Sequence, residues 1–385
     1  MNKKIAVVIV VVIAACAAAF FGLTRYEAGE TVASEPTALS LENIKIGVLY
    51  FTNPLTETGG YAVGHETGIK RMQSELGLRD DQILRKVNVL EFDDPGIEGA
   101  MRDLIAVGAN IIFATSWGYM DSVERLAAEF PNVIFAHASG HKYNGTNFTY
   151  YFGRIYQARY LSGIAAGLKT QTNKVGYIAA MGKDNSEVTG GVNAFALGVA
   201  RVNPDAKVFV SVLHSWYDPV QERFAAQTLI SIGVDVLTQH CDTAYAMMEA
   251  EKAGVWGIGY NYDMSETAPN AVLTSVVWHW GAYYTHLVKS VIDGTFTTKP
   301  YFGGLAEGMV DITPLASFAA KGTAELIAQE RRRMLDGSFK VFDGVIATND
   351  GGTRRSVGSA GATLSDEQIH SGTDWYYQSI IEISR

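Results

Sequence analysis

The sequence predicts an α/β protein of two doubly wound, Rossmann-like lobes. Three observations carry this reading. Short runs rich in Val, Ile and Phe alternate with amphipathic helical stretches from Ile44 to Ala136. The same alternation restarts near Lys174 and runs to Tyr260, without sequence repetition. The chain has 385 residues, too many beyond its N-terminal segment for one ordinary core. Near-continuous apolar strands separated by helices indicate parallel sheets covered on both faces.

The N-terminus comes first. Two lysines, Lys3 and Lys4, precede an unbroken apolar run from Ile5 to Leu23. A basic start followed by such a run is an export signal, and about 20 apolar residues also suffice to span a bilayer. Within it, Ile13-Ala14-Ala15-Cys16 resembles a lipobox, which makes Cys16 a candidate lipidation site, although the residues after it stay apolar. An uncleaved anchor and a lipoprotein both place the rest of the chain outside the cytoplasmic membrane. Residues 1–23 are therefore the signal or anchor. Residues 24–43, rich in Glu, Thr, Ser and Ala, read as a linker.

In the first lobe, strands are expected at Lys45–Tyr50, Val87–Phe92, Asn110–Ala114 and Asn132–Ala136. Helices are expected at Gly64–Leu76, Ile97–Val107 and Met120–Glu129. Gly140–Arg154, rich in Gly, Asn, Thr and Tyr, reads as a passage to the second lobe. There, strands are expected at Lys174–Ile178, Lys207–Leu213, Val234–Thr238 and Trp256–Tyr260. The helices are Ala158–Lys169, Glu187–Val202, Val220–Ile232 and Ala244–Ala253.

Open parallel sheets bind ligands beyond the carboxyl ends of their strands. The segments following the strands include Phe51–Gly60, Thr115–Gly118, Met181–Asn185, His214–Asp218, Gln239–Asp242 and Asn261–Asp263, and aromatic and acidic residues are dense in them. Trp117, Trp216, Tyr61 and Tyr262 offer flat faces, while Asp242 and Asp263 offer acceptors. A planar heterocycle with N–H donors needs this combination. Stacking of a base on an aromatic ring contributes roughly 1–3 kcal/mol. Core or hinge packing is the competing role for each aromatic, although Trp117 and Trp216 both stand at strand ends among turn residues. Capping of the helix near Ala244 competes for Asp242. Asp218-Pro219 reads as a helix N-cap with proline in the first turn.

The formal net charge of −9 argues against a nucleic-acid partner. Cys16 and Cys241 are the only cysteines, so no disulfide framework is expected, and Cys241 reads as a small buried hydrophobe. Enzyme signatures fail one by one. His65-Glu66 begins a zinc-protease motif, but Ile69 stands where histidine is required. Gly176–Lys183 is one residue too long for a phosphate-binding loop, and Asp184 replaces its hydroxyl residue. His137 and His141 flank a glycine rather than sharing a helix face. Neither catalysis nor a cofactor is expected.

Several ordered motifs carry a family resemblance. They are Thr115–Asp121 (TSWGYMD), Arg159–Gly167 (RYLSGIAAG), Val192–Gly198 (VNAFALG), Ser215–Pro219 (SWYDP) and Asp235–Asp242 (DVLTQHCD). Asp263-Met264, Val272–Val276, Trp280–Tyr284 and Gly308–Val310 follow. From Ile44 to Tyr377 the chain resembles the basic membrane protein family of substrate-binding proteins, which includes purine nucleoside receptors of ABC importers. The resemblance implies the type I periplasmic-binding-protein fold, with passages at 140–154, 263–274 and 303–309. Lobe 1 is then 44–145 plus 275–305, and lobe 2 is 146–274 plus 306–385. It implies hinge closure on the ligand, then docking to an ABC permease with its ATPase.

The chain resembles the branch that binds free purine bases such as adenine, so a purine base or a related heterocycle is the expected ligand. This implies stacking by Trp117 with Tyr61 or Trp216, and polar recognition by Asp242 and Asp263, with Asn261 and Tyr262 beside them. Nucleoside binders of the family carry an aspartate where Asn261 stands, and tryptophan is usual in this branch where Tyr61 stands. The alternatives are a nucleoside binder and a membrane-tethered receptor of the same fold feeding a signalling partner. A hydrolase would need a catalytic base or metal cluster that the sequence does not present.

Overall fold

A computed structural model describes residues 38–57, 59–349 and 356–383. The apolar run, Cys16 and most of the linker lie outside the described residues. Ser40–Arg385 forms one compact unit. The linker's last residues already belong to it: the Ser40 N–H donates to Asn43 Oδ1 at 2.8 Å. The Gln82 amide donates to the carbonyls of Leu41 and Ile44, at 2.9 and 2.8 Å.

The first sheet contains β1 (Ile46–Leu49), β2 (Ile83–Lys86), β3 (Ile111–Ala114), β4 (Ile134–Ala138) and β5 (Phe148–Gly153). The second contains β6 (Lys174–Ala179), β7 (Lys207–Val212), β8 (Val236–His240), β9 (Trp256–Asn261) and β10 (Val272–Trp278). The chain then returns to the first sheet as β11 (Tyr301–Gly303) and to the second as β12 (Val310–Ile312). The strand orders are β11-β5-β4-β3-β1-β2, and β12-β10-β9-β8-β6-β7 with Ile380–Glu382 at the far edge. Both sheets are parallel except where β12 runs against β10. This is the expected doubly wound α/β architecture. Every residue of β1, β3 and β8 is buried, as helices on both faces require.

Two expected elements differ. The strand expected at Val87–Phe92 is instead β2, four residues earlier in its start, with the sequence ILRK. It is an edge strand, and charge suits an edge. Arg85 pairs with Glu66 at 3.0 Å and Lys86 with Asp103 at 2.7 Å. Residues 87–92 turn away, with Asn88 and Phe92 at φ 56° and 60°. The second difference is β5. It continues the first sheet beyond the expected boundary at residue 145, and β10 belongs to the second sheet despite the expected passage at 263–274. Strand pairing puts the passages at residues 153–155, 278–281 and 303–310.

Arg154 lies in the first of these passages. Its backbone N–H donates to Gly303 O at 2.7 Å, and its guanidinium donates to Phe302 O at 2.6 Å and to Asp366 at 2.7 Å. Helix packing in the second lobe explains two of the motifs. A Cβ on Gly163 would stand 2.1 Å from Phe195 O, and one on Gly198 would stand 2.1 Å from Tyr160 O. These glycines let helices Ile155–Lys169 and Ser186–Val202 meet backbone to backbone.

Candidate functional site

The loop after β1 brings the first lobe against the strand ends of the second. A Cβ on Gly59 would lie 2.2 Å from Tyr262 Cζ, and one on Gly60, at φ 103°, would lie 3.0 Å from Asp242 O. A Cβ on Gly64 would lie 3.8 Å from Asn261 O. Tyr61, Asp242, Asn261 and Tyr262 therefore share one seam between the lobes.

Asp242 follows β8 and does not cap the next helix. That helix, Tyr245–Ala253, begins at Ala244 without a side-chain cap. The Asp242 carboxyl instead accepts from Asn261 Nδ2 at 2.8 Å, while its backbone N–H donates to Trp216 O at 2.9 Å. Among the described residues no Lys, Arg or His forms an ion pair with it. Burial pushes this carboxyl up to about 7, opposed by the Asn261 bond and reinforced by Glu222, Glu187 and Glu91. Asn261 is only 2% exposed and holds φ 70°, a conformation that Asn tolerates better than most residues. Its Oδ1 is buried without a partner among the described residues.

Two residues of this wall went unread in the sequence. Glu187, in the first turn of helix Ser186–Val202, lies with its Oε1 3.0 Å from His240 Nε2. The other ring nitrogen of His240 lies 3.0 Å from the Tyr177 hydroxyl. Burial lowers the His240 pKa. Burial alone would raise Glu187, but His240, through both its charge and its hydrogen bond, together with His370 and Arg159, outweighs it and leaves the carboxyl below its usual range. The signal available was positional, since Glu187 adjoins the strand-end segment Met181–Asn185 and His240 ends β8.

Tyr61 meets His65 at 4.4 Å and Trp280 at 5.8 Å between ring centroids, both nearly perpendicular. Burial, Asp242 and Glu187 together raise its hydroxyl well above the usual range, while a hydrogen bond with Ser139 opposes them. His65 stacks on Trp280 at 4.1 Å, and its buried Nε2 has no partner among the described residues. Burial holds that ring neutral, its pKa well below the usual range.

Trp117 stands on the first-lobe side, 48% exposed, with His141 at 5.8 Å. Its loop is pinned by Glu91, which accepts from the Ser116 hydroxyl and, at 3.0 Å, from the Gly118 N–H. Trp216 is half-buried and meets His240 edge-on at 6.0 Å, so it also packs against the core. Asp263 is exposed, and its Oδ1 accepts from Ser265 N–H at 2.9 Å in a turn. Among the described residues no hydrogen bond joins it to Asp242. Asp218 caps helix Pro219–Ser231 through the Val220 and Gln221 N–H groups, as its sequence predicts.

Residues 58–338 match the family described as Bmp, ABC transporter substrate-binding protein PnrA-like. A purine-binding protein of Brucella abortus is 33% identical over 339 residues, covering 88% of this chain and 93% of its own. The chain belongs to the Bmp family. Like the family, this Bmp protein is a substrate-binding protein of an ABC transporter and not an enzyme. Such proteins are extracytoplasmic, take a small-molecule ligand, and work with a permease and an ATPase. Among the described residues no helix is long and apolar enough to cross a membrane.

A Haloferax volcanii protein described as a candidate ABC transporter glucose-binding protein is 34% identical over 235 residues, 61% of this chain and 59% of its own. The fold is shared with a solute-binding protein of an ABC transporter system from Conexibacter woesei. That structure has a TM-score of 0.64 and 18% identity, over 77% of this chain and 98% of the other. These neighbours place the Bmp protein in the type I periplasmic-binding fold.

Proposed function

We propose that this Bmp protein captures a free purine base in the seam between its lobes and presents it to the permease. The observation that carries the reading is the Asp242 carboxyl, bonded to Asn261 and in no ion pair among the described residues. A group so placed calls for a ligand edge bearing N–H donors, and Tyr61, Trp216 and Trp117 supply flat surfaces for the faces of such a ring. Asn261 stands where nucleoside binders of the family carry an aspartate, and the loss of that charged acceptor for ribose hydroxyls favours a base over a nucleoside. The purine-binding relative from Brucella supports the same ligand class. The apolar run Ile5–Leu23, either as an uncleaved anchor or through lipid on Cys16, holds the protein at the membrane's outer face.

Thermal-shift measurements on the full chain with adenine, guanine, adenosine, uracil and glucose test this. A ligand at 100 times its dissociation constant adds about 2.7 kcal/mol of stability. A shift with purine bases is expected. A shift with glucose and none with any purine overturns the proposal.

A further inference from the structure

Among the described residues, one oxygen of the Asp242 carboxyl is hydrogen-bonded and the other is not. Asn261 Nδ2 donates to Oδ1 at 2.8 Å. The groups facing it are mostly acids: Glu222 from helix Pro219–Ser231, Glu187 from helix Ser186–Val202, and Glu91 from the loop after β2. Tyr61 reaches it from the first lobe, with Tyr260 and Cys241 on its own sheet, and all three carry raised pKa values. His240, on the same strand end, is committed to Glu187 and Tyr177. The Arg159 guanidinium is turned to the Tyr260 ring, 4.3 Å from its centroid, and donates to Gln239 O.

The two forms of such a carboxyl recognise different edges. As a neutral acid, Oδ2–H donates to a ring nitrogen while Oδ1 accepts from an adjacent amino group, sharing its second lone pair with Asn261. As a carboxylate, both oxygens accept, and only an edge with two neighbouring N–H donors satisfies them. A 6-aminopurine offers the first edge, and a 2-amino-6-oxopurine offers the second.

We infer that Asp242 selects the purine by its protonation state, taking the acceptor–donor edge of a 6-aminopurine when neutral and the donor–donor edge of a 2-amino-6-oxopurine when ionised. The inference rests on the proposal that the ligand is a purine base. Because burial sets this carboxyl near 7, the exchange falls within the ordinary range of pH.

Calorimetric titration of the full chain with adenine and with guanine, from about pH 5.5 to 8.5, tests it. Adenine affinity is expected to be level at low pH and to fall about tenfold per unit above the carboxyl's pKa, while guanine affinity rises toward high pH and levels there. Asp242→Asn supplies a permanent donor and acceptor in the same place. It is expected to bind adenine without that pH dependence and to reject guanine. An adenine affinity independent of pH in the unaltered protein overturns the inference while leaving the purine proposal standing. So does a pH profile that survives unchanged in Asp242→Asn. Failure of every purine to bind at any pH overturns both.

Discussion

Gly59 rests against the ring of Tyr262 so closely that a methyl group at residue 59 would stand 2.2 Å from Tyr262 Cζ. The two residues belong to opposite lobes, and no side chain larger than hydrogen fits while they hold this arrangement. Gly59→Ala must displace the tip of Tyr262 or hold the lobes apart. Ligand affinity is expected to fall about tenfold, equivalent to about 1.4 kcal/mol, with the unfolding midpoint of the ligand-free protein unchanged. Calorimetry with the stabilising ligand, paired with denaturant unfolding, checks both.

Asp242 makes stability depend on pH in a direction unusual for a carboxyl. Its folded pKa, about 7, lies above the unfolded value of about 3.9. The contribution is therefore fully present below the unfolded value and lost as pH rises through about 7. Asp242→Asn should leave stability near pH 4 little changed and raise it near pH 8, on the order of 1–2 kcal/mol because the half-buried group keeps some solvent. Urea unfolding at the two pH values measures the difference.

Asn261→Asp would put a second carboxyl where a donor now meets Asp242 at 2.8 Å. Like charges at this distance cannot both ionise without cost. The variant is expected to lose about 1–3 kcal/mol near pH 8 and to recover much of it near pH 5. Thermal unfolding across that range checks the prediction.

Trp117 and Asp263 both follow strands, but Trp117 presents an exposed ring beside His141 while Asp263 closes a turn with Ser265. Trp117→Ala should weaken purine binding by about 1–3 kcal/mol, the range for one stacked base. Asp263→Ala should remove one turn hydrogen bond, cost about 0.5–1.5 kcal/mol of stability, and leave affinity unchanged. Binding isotherms of the two variants decide between these roles.

Residues buried on both faces left the clearest trace in the sequence. IGVL, IIFA and KVGYIA declared themselves strands because helices cover both sides of their sheets. ILRK did not, because an edge strand pairs its charges sideways with Glu66 and Asp103. Phe148–Gly153 was hidden behind a turn rich in Gly and Asn that resembled a passage between lobes. At the site, Asp242 and Asn261 were legible as strand ends, but their mutual bond was not. Glu187 and His240 were missed because they are 53 positions apart and only the order of β6 beside β8 makes them neighbours. The turn bond of Asp263 to Ser265 was not legible either, because proximity to β9 in sequence says nothing of which way the turn carries its carboxyl.

Arg154 bonds the first passage between the lobes to Phe302 and Gly303 beside the third, and to Asp366 in the C-terminal segment. Any motion that parted the lobes would have to twist those strands together against one shared knot. On the proposed function, the time a ligand is held would then depend on that knot as well as on the chemistry of the seam. Substitutions at Arg154 or Asp366 offer a way to alter how long cargo is held without touching any atom that recognises it.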